Sequence, residues 1–459
     1  MLGIAVLLGL VANVVGAQES PTRGAPLARR TIDSALAVAT ADSAWSRVTH
    51  TYYDTTFRGM DWVAVGNALH ARAAQVRDAG ELRAAITAMF ERLGESHFAL
   101  IPSDAVASWS EAPVRAESLG VVGIELRLLD GRVVVSRVRP GSAAADAGVH
   151  AGWWLERVGK LDVATFARER LRVAQGSAHR LAELQLPLSL MARTQGVVGT
   201  RLSLAFRDGE GRRRKVRLVR RPTDGVVVQF GHLPPQLVNF ETERFTDSAG
   251  CVGVVRFNVW MTPVVPRLDD AMVEFRRCRG IVLDLRGNVG GVAAMVMGVG
   301  GYFVDSTVSL GTMTTRGGTL RYVTNPRRSD RFGRELAPFA GSLAILVDGL
   351  SVSTSEIFAA AMQALGRSRV FGEVTAGQAL PAMLAPLPNG DVMQHVVGDF
   401  AAPDGRRIEA RGVSPDVVVP LSRSALLKGR DESLLAALAW IGEHPRAATA
   451  ATGGGMHDR

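Results

Sequence analysis

Between Thr31 and Leu100 apolar residues recur at helical spacing. The clearest stretch is Glu81 to Leu93, where Leu82, Ile86, Met89, Phe90 and Leu93 fall on one face. Gly94 follows in the place of a C-cap, and Glu95-Ser96-His97-Phe98 comes next. From about Leu119 the period drops to two. Val122 to Leu126 alternates, Asp130-Gly131 marks a hairpin turn, and Val133-Val134-Val135 returns. Pro140-Gly141-Ser142 opens a short helix over Ala143 to Ala147, ended by Gly148. A helical stretch from about Thr165 to Gly196 precedes a second strand pair, Leu202 to Phe206 and Val216 to Arg220. From about Val252 apolar runs alternate with helical segments. Strands are predicted at Gly253–Phe257, Ile281–Leu285 and Leu343–Val347, and helices at Leu268–Phe275 and Thr354–Leu365. That alternation predicts an α/β core.

The chain opens with an uncharged apolar run, Leu2 to Ala17, ending in the small residues Val15-Gly16-Ala17. It is expected to be a signal peptide, with a polar linker containing Pro21, Gly24 and Pro26 behind it. Position 18 is Gln and not Cys, which argues against a lipid anchor, and no later run is apolar and long enough to span a bilayer. An exported protein, periplasmic or secreted, is expected. Cys251 and Cys278 are the only cysteines. They are compatible with a disulfide in an oxidising compartment or with two unpaired thiols. Two cysteines do not make a zinc site, no H-E-x-x-H occurs, and no metal or cofactor is expected.

The net charge of +9 rests on arginine, since the only lysines are Lys160, Lys215 and Lys428. The one basic run, Arg212-Arg213-Arg214-Lys215, alternates into Val216 and Leu218 like a solvated strand, so nucleic-acid binding is not expected. No feature sets an oligomeric state.

Two segments carry candidate chemistry. Ser351-Val352-Ser353-Thr354-Ser355-Glu356 precedes a helix, so its serines sit among free N–H groups and the positive end of a helix dipole. Ser353 and Glu356 also spell a capping box, the plain structural use of such a segment. Asp284-Leu285-Arg286-Gly287-Asn288-Val289-Gly290-Gly291 ends a strand on a glycine pair, whose bare backbone can approach a reacting carbonyl. G-x-S-x-G and S-x-x-K are absent around Ser353, and Gly298-Val299-Gly300-Gly301 lacks the third glycine of a dinucleotide fingerprint.

The strand, hairpin, "P-G-S-A-A" turn and "A-G-V-x-x-G" order over about a hundred residues resembles a PDZ domain, with Trp153 where an acidic residue often stands. The resemblance implies capture of a peptide carboxyl terminus by strand addition, its carboxylate held near Val122, Gly123 and Ile124. The pair "D-L-R-x-N-x-G-G" and "S-x-S-x-S-E" resembles the carboxyl-terminal-processing serine peptidases. That resemblance implies a ClpP/crotonase-like spiral core, Ser353 as nucleophile, and oxyanion donors from Thr354 and from Gly290 or Gly291. The family's lysine position is Gln378 here, in Thr375-Ala376-Gly377-Gln378-Ala379, and an amide is no base near neutral pH. Gly94-Glu95-Ser96-His97 and Glu409 before Gly412-Val413-Ser414-Pro415-Asp416 resemble the Ser–His–Glu arrangement of tricorn core proteases. His97 is then the expected base and Glu409 its orienting acid. The expected division is a signal peptide at 1–17, a helical domain at 28–105, a PDZ-like domain at 117–222, an α/β peptidase core at 223–445 and a disordered tail at 446–459. The expected activity is metal-free serine endopeptidase action on protein or peptide substrates. Gln378 also leaves open a non-catalytic peptide carrier on a peptidase-like core.

Overall fold

A computed structural model describes residues 31–104, 106, 119–172, 176–229, 231 and 235–444. The expected signal peptide and tail lie outside them.

Three helices come first: α1 (Ser34–Thr51), α2 (Trp62–Ala73) and α3 (Ala79–Leu93). Each starts at an aspartate, Asp33, Asp61 or Asp78, whose side chain accepts an N–H of the first turn. Gly94 ends α3 in the left-handed region at φ +64°. The short strand β1 (Ala99–Ile101) follows.

In the next unit five strands, β2 (Ile124–Leu129), β3 (Arg132–Val138), β4 (Trp154–Val158), β5 (Arg201–Arg207) and β6 (Arg213–Val219), are neighbours in that order, and a sixth short strand, Leu161–Asp162, pairs with β4. The helices α4 (Ala143–Asp146), α5 (Val163–Arg172) and α6 (Gly176–Thr194) accompany it. Strand β2 is an edge strand and α6 packs along it. Arg212 to Lys215 are exposed, as the alternation predicted.

The largest sheet runs β7 (Phe240–Asp247), β8 (Gly250–Phe257), β9 (Gly280–Asp284), β12 (Ser342–Val347), β13 (Ser368–Gly372) and β17 (Val417–Val418). Only β7 is antiparallel to its neighbour; the other pairings are parallel. Strands β9 and β12 are buried along their whole length, which is why they read as continuous apolar runs. Helix α7 (Val264–Phe275) crosses from β8 to β9, α8 (Met295–Gly300) follows β9, and α9 (Thr354–Ala364) leads from β12 to β13. The helix α10 (Glu432–Glu443) lies on the other face over β12, β9 and β13. Two small sheets flank it: β11 (Gly318–Val323), β10 (Ser309–Thr315) and β16 (Gly398–Ala401), and β1 with β15 (Val392–Val396) and β14 (Ala382–Pro386).

The core is therefore not the ClpP/crotonase-like spiral. Its central strands, in register from Val252–Gly280–Ser342 onward, make one open mixed sheet, because helical crossovers return each chain segment to the same layer. Alternation of strands and helices specifies an α/β layer but not the path of the connections, and the spiral came only from the resemblance.

Cys251 on β8 and Cys278 before β9 form a disulfide, Cα atoms 4.6 Å apart. The helical segment does not close its own core. Leu82, Phe90 and Leu93 share one buried cluster with Leu380, Leu387, Met393 and Val396, and β1 pairs with β15. The five-strand unit meets the large sheet through ions. Arg127 Nε donates to Asp348 at 2.6 Å, Arg256 donates to Glu125 at 2.6 Å, and Arg139 pairs with Glu241 at 2.9 Å. Burial works against ionised Glu125, but Arg256, Arg127 and Arg137 outweigh it and hold the carboxyl at about 2.

Candidate active site

Strands β9 and β12 are neighbours in register, so both end at the same edge of the sheet, Asp284 opposite Leu346. The two motif segments start there and are stitched together. Ser351 Oγ donates to Leu285 O (2.8 Å), Val352 N to Asn288 O (3.0 Å), Ser355 Oγ to Asn288 O (3.1 Å) and Thr354 Oγ1 to Gly291 O (3.0 Å). Carboxyl ends of parallel strands are where open α/β sheets place ligands.

Ser353 is fully buried and has φ +57°, ψ −115°. Few residues other than glycine hold a positive φ without surrounding constraint. The constraint here is double: Ser353 N donates to Gln378 O and to Glu356 Oε2, both at 2.9 Å. Ser353 and Glu356 stand in capping-box positions, yet Ser353 Oγ has no hydrogen-bond partner. Glu356 does more than cap. Oε1 accepts from Thr375 Oγ1 (2.6 Å) and Gly377 N (2.7 Å), and Oε2 also accepts from Gln378 N (2.9 Å). Its carboxylate thus fixes the 375–378 strap against the start of α9. Burial pushes the Glu356 carboxyl up, against the pull of those bonds.

Among the described residues, the amides of Thr354 and Gly291 have no acceptor, whereas Gly290 N donates to Asn288 Oδ1 at 3.0 Å. Of the glycine pair, Gly291 is thus the one with a free donor. Gly290 has a different part. It lies at φ +88°, and a Cβ there would stand 2.7 Å from Ser353 Cβ and 3.2 Å from Thr354 N. Only glycine leaves the space in front of that amide open.

His97 and Glu409 come to the same strap from opposite ends of the chain. His97 is 2% exposed and Glu409 5%. They do not bond to each other; Ser96 stands between them. Ser96 Oγ lies 2.6 Å from His97 Nδ1 and donates to Glu409 Oε2 at 3.0 Å, while Ser96 N donates to Glu409 Oε1 at 3.0 Å. Glu409 Oε2 also accepts from Ala379 N at 2.9 Å, one residue beyond Gln378. Burial pushes the Glu409 carboxyl up to about 7; the bonds from Ala379 and Ser96 resist, and the charge of Glu356 adds to the rise. Burial alone lowers His97 to about 4, so the imidazole is neutral at pH 7. His97 Nε2 and Ser353 Oγ are not bonded to one another, and each is buried without a partner. The loop that carries His97 is anchored by Glu95, which accepts from Tyr52 Oη and Tyr53 Oη (2.7 Å each) and from Arg407 (3.0 Å).

Gln378 is 5% exposed with Oε1 unpartnered. All three lysines are exposed, two of them on the five-strand unit, while Ser353 is buried. Val122, Gly123 and Ile124 line a cavity of about 290 Å³. Leu188 and Met191 of α6 form one wall, and Phe257, Asn258, Gly287 and Val289 of the large-sheet unit form another. The expected peptide-binding loop thus faces the turn that leads to Gly291. The edge of β2 is already taken at one point, where Leu126 N meets Met191 Sδ at 3.4 Å. Ser96 and Glu356 were not among the expected site residues. Glu356 was readable as a cap, and Ser96 carried no signal beyond lying next to His97.

Residues 251–419 match peptidase family S41. A carboxyl-terminal-processing protease of Picosynechococcus is 24% identical over 82% of this chain and 82% of its own. A probable CtpA-like serine protease of Staphylococcus aureus is 25% identical over 172 residues, 37% of this chain. The match spans only 34% of that relative's length. Among solved structures, the photosystem II D1 C-terminal processing protease aligns with a TM-score of 0.56 at 21% identity, over 85% of this chain and 96% of its own. Mature CPAF aligns at 0.55 with 15% identity, over 89% of this chain and 98% of its own. These alignments fix the fold as that of the processing proteases, and it replaces the expected spiral.

Proposed function

We propose that this chain is a tail-specific S41 peptidase with a PDZ-like domain, a serine endopeptidase acting on exported proteins or peptides. Ser353 is its nucleophile. The observation that carries this reading is the state of the Ser353 hydroxyl. It is buried, free of partners, and held on a strained backbone beside two unbonded amides. A serine serving only as a cap would bond its own helix.

In this reading His97 Nε2 takes the Ser353 proton as Oγ attacks the substrate carbonyl, and the amides of Thr354 and Gly291 stabilise the oxyanion. Glu409 acts through Ser96, which passes its hydrogen bond to Nδ1 and keeps Nε2 as the accepting nitrogen. The imidazolium that forms is buried, and the Glu409 carboxylate is the charge that offsets it. The cavity behind Gly123 takes the substrate's carboxyl terminus. Its position beside Gly287 and Val289 supports a path from there to Ser353. The Cys251–Cys278 disulfide supports an exported location.

A fluorophosphonate probe tests the reading. It labels Ser353 in the native protein, not in Ser353→Ala, and at least a thousandfold more slowly in His97→Ala. Silence in folded native protein overturns the assignment and leaves the peptide carrier.

A further inference from the structure

We propose that the Gln378 side chain receives the N–H of the scissile peptide bond, a role that rests on the Ser353–His97 reading above. The carboxamide oxygen is buried and unpartnered, whereas buried side-chain carbonyls almost always have a donor. Such a vacancy persists where a ligand fills it.

The backbone of Gln378 is part of the same framework as the nucleophile. Gln378 O accepts from Ser353 N, and Glu356 Oε2 accepts from both Ser353 N and Gln378 N. The next residue, Ala379, bonds Glu409. Gln378 therefore stands between the serine and the carboxylate behind His97. Three buried atoms without partners belong to this framework: Ser353 Oγ, His97 Nε2 and Gln378 Oε1. The first two account for the proton traffic. The third is a carboxamide oxygen, which accepts a hydrogen bond and does not titrate.

A peptide bond at Ser353 brings one group that still needs an acceptor. Its carbonyl oxygen faces the Thr354 and Gly291 amides. Its N–H points to the other side, and His97 Nε2 must stay open for the serine proton. Gln378 Oε1 is the remaining acceptor. With the N–H held there, the nitrogen lone pair that develops on attack is directed away from Gln378 and toward His97. The bond from Ser353 Oγ to the acyl carbon forms, the C–N bond breaks, and the proton taken from Ser353 passes through His97 to the leaving nitrogen. Water then hydrolyses the ester at Ser353, with His97 taking its proton and returning it to Ser353 Oγ.

An ester of the same acyl group has no N–H to offer, and this separates a reaction role from a structural one. The experiment measures kcat/KM for a peptidyl p-nitroanilide and the matching p-nitrophenyl ester in the native protein, Gln378→Met and Gln378→Ala, with thermal unfolding as the fold check. The amide-to-ester ratio is expected to fall about 10–100-fold in both variants, the loss that follows when one buried hydrogen bond goes unmade. A native-like ratio, whether the two rates fall together or stay unchanged, overturns the role of Gln378. Native protein that the fluorophosphonate does not label at Ser353 overturns the underlying reading and this inference with it, so the two failures are told apart.

Discussion

Ser96 supplies the sharpest quantitative test. Ser96→Ala deletes one oxygen and with it two contacts, 2.6 Å to His97 Nδ1 and 3.0 Å to Glu409 Oε2. Glu409 keeps the amides of Ser96 and Ala379. His97, 2% exposed, keeps nothing on Nδ1. On the His97 side the resting protein loses one neutral buried hydrogen bond, about 1–3 kcal/mol. The transition state loses more, because there Nδ1–H belongs to an imidazolium and charge-assisted bonds are roughly twice as strong. The barrier should rise by the difference between the two losses, about 1–3 kcal/mol, a fall of roughly 5–150-fold in kcat/KM. His97→Ala should lose ~10⁴ or more. A quenched fluorescent peptide gives the rates, and urea unfolding gives the stability. Ser96→Thr, which keeps a hydroxyl, should recover most of the activity. A folded Ser96→Ala protein with native kcat/KM would refute the coupling of Glu409 to His97 through Ser96.

Four further outcomes are expected. Activity should rise with pH through a midpoint near 7, because Glu409 must ionise to support the imidazolium while His97, near 4, stays neutral; Glu409→Gln should lose that limb in a kcat/KM profile. The sign for stability is opposite. A carboxyl whose folded pKa lies above its unfolded value favours folding when protonated, so Glu409 removes stability as pH climbs from about 4.5 to about 7, and urea midpoints of Glu409→Gln should fall less over that window. Arg127→Ala leaves buried Asp348 without its cation and should cost roughly 3–5 kcal/mol in urea unfolding, with Arg127→Met no better at restoring the charge. Reducing Cys251–Cys278 opens a 27-residue loop, a loss of about 3.5 kcal/mol by loop entropy, seen as a lower urea midpoint in dithiothreitol.

The elements were legible where one side chain pattern decides them. Leu82 to Leu93 formed the helix their spacing predicts, and the Ile281 and Leu343 runs became the buried neighbours that bring both motifs to one edge. What was hidden depends on contacts between distant residues. Asn288 turns its side chain back onto Gly290 N and takes it out of use as a donor, which no glycine count reveals. Ser96 gained its place only by meeting Glu409. The connections between strands, too, are set by how helices pack over the sheet, so an alternating pattern carried no information on the spiral that was wrongly expected.

The interlaced ends of the chain have a bearing on biosynthesis. Ser96 meets Glu409 across 313 positions, and the helical segment borrows Leu380 to Val396 to close its core. A chain made from its amino end holds His97 long before it holds the strap and the carboxylate that meet its loop. On the proposed mechanism catalytic order comes late in synthesis, and a nascent copy stays inert toward its neighbours until Glu409 has emerged.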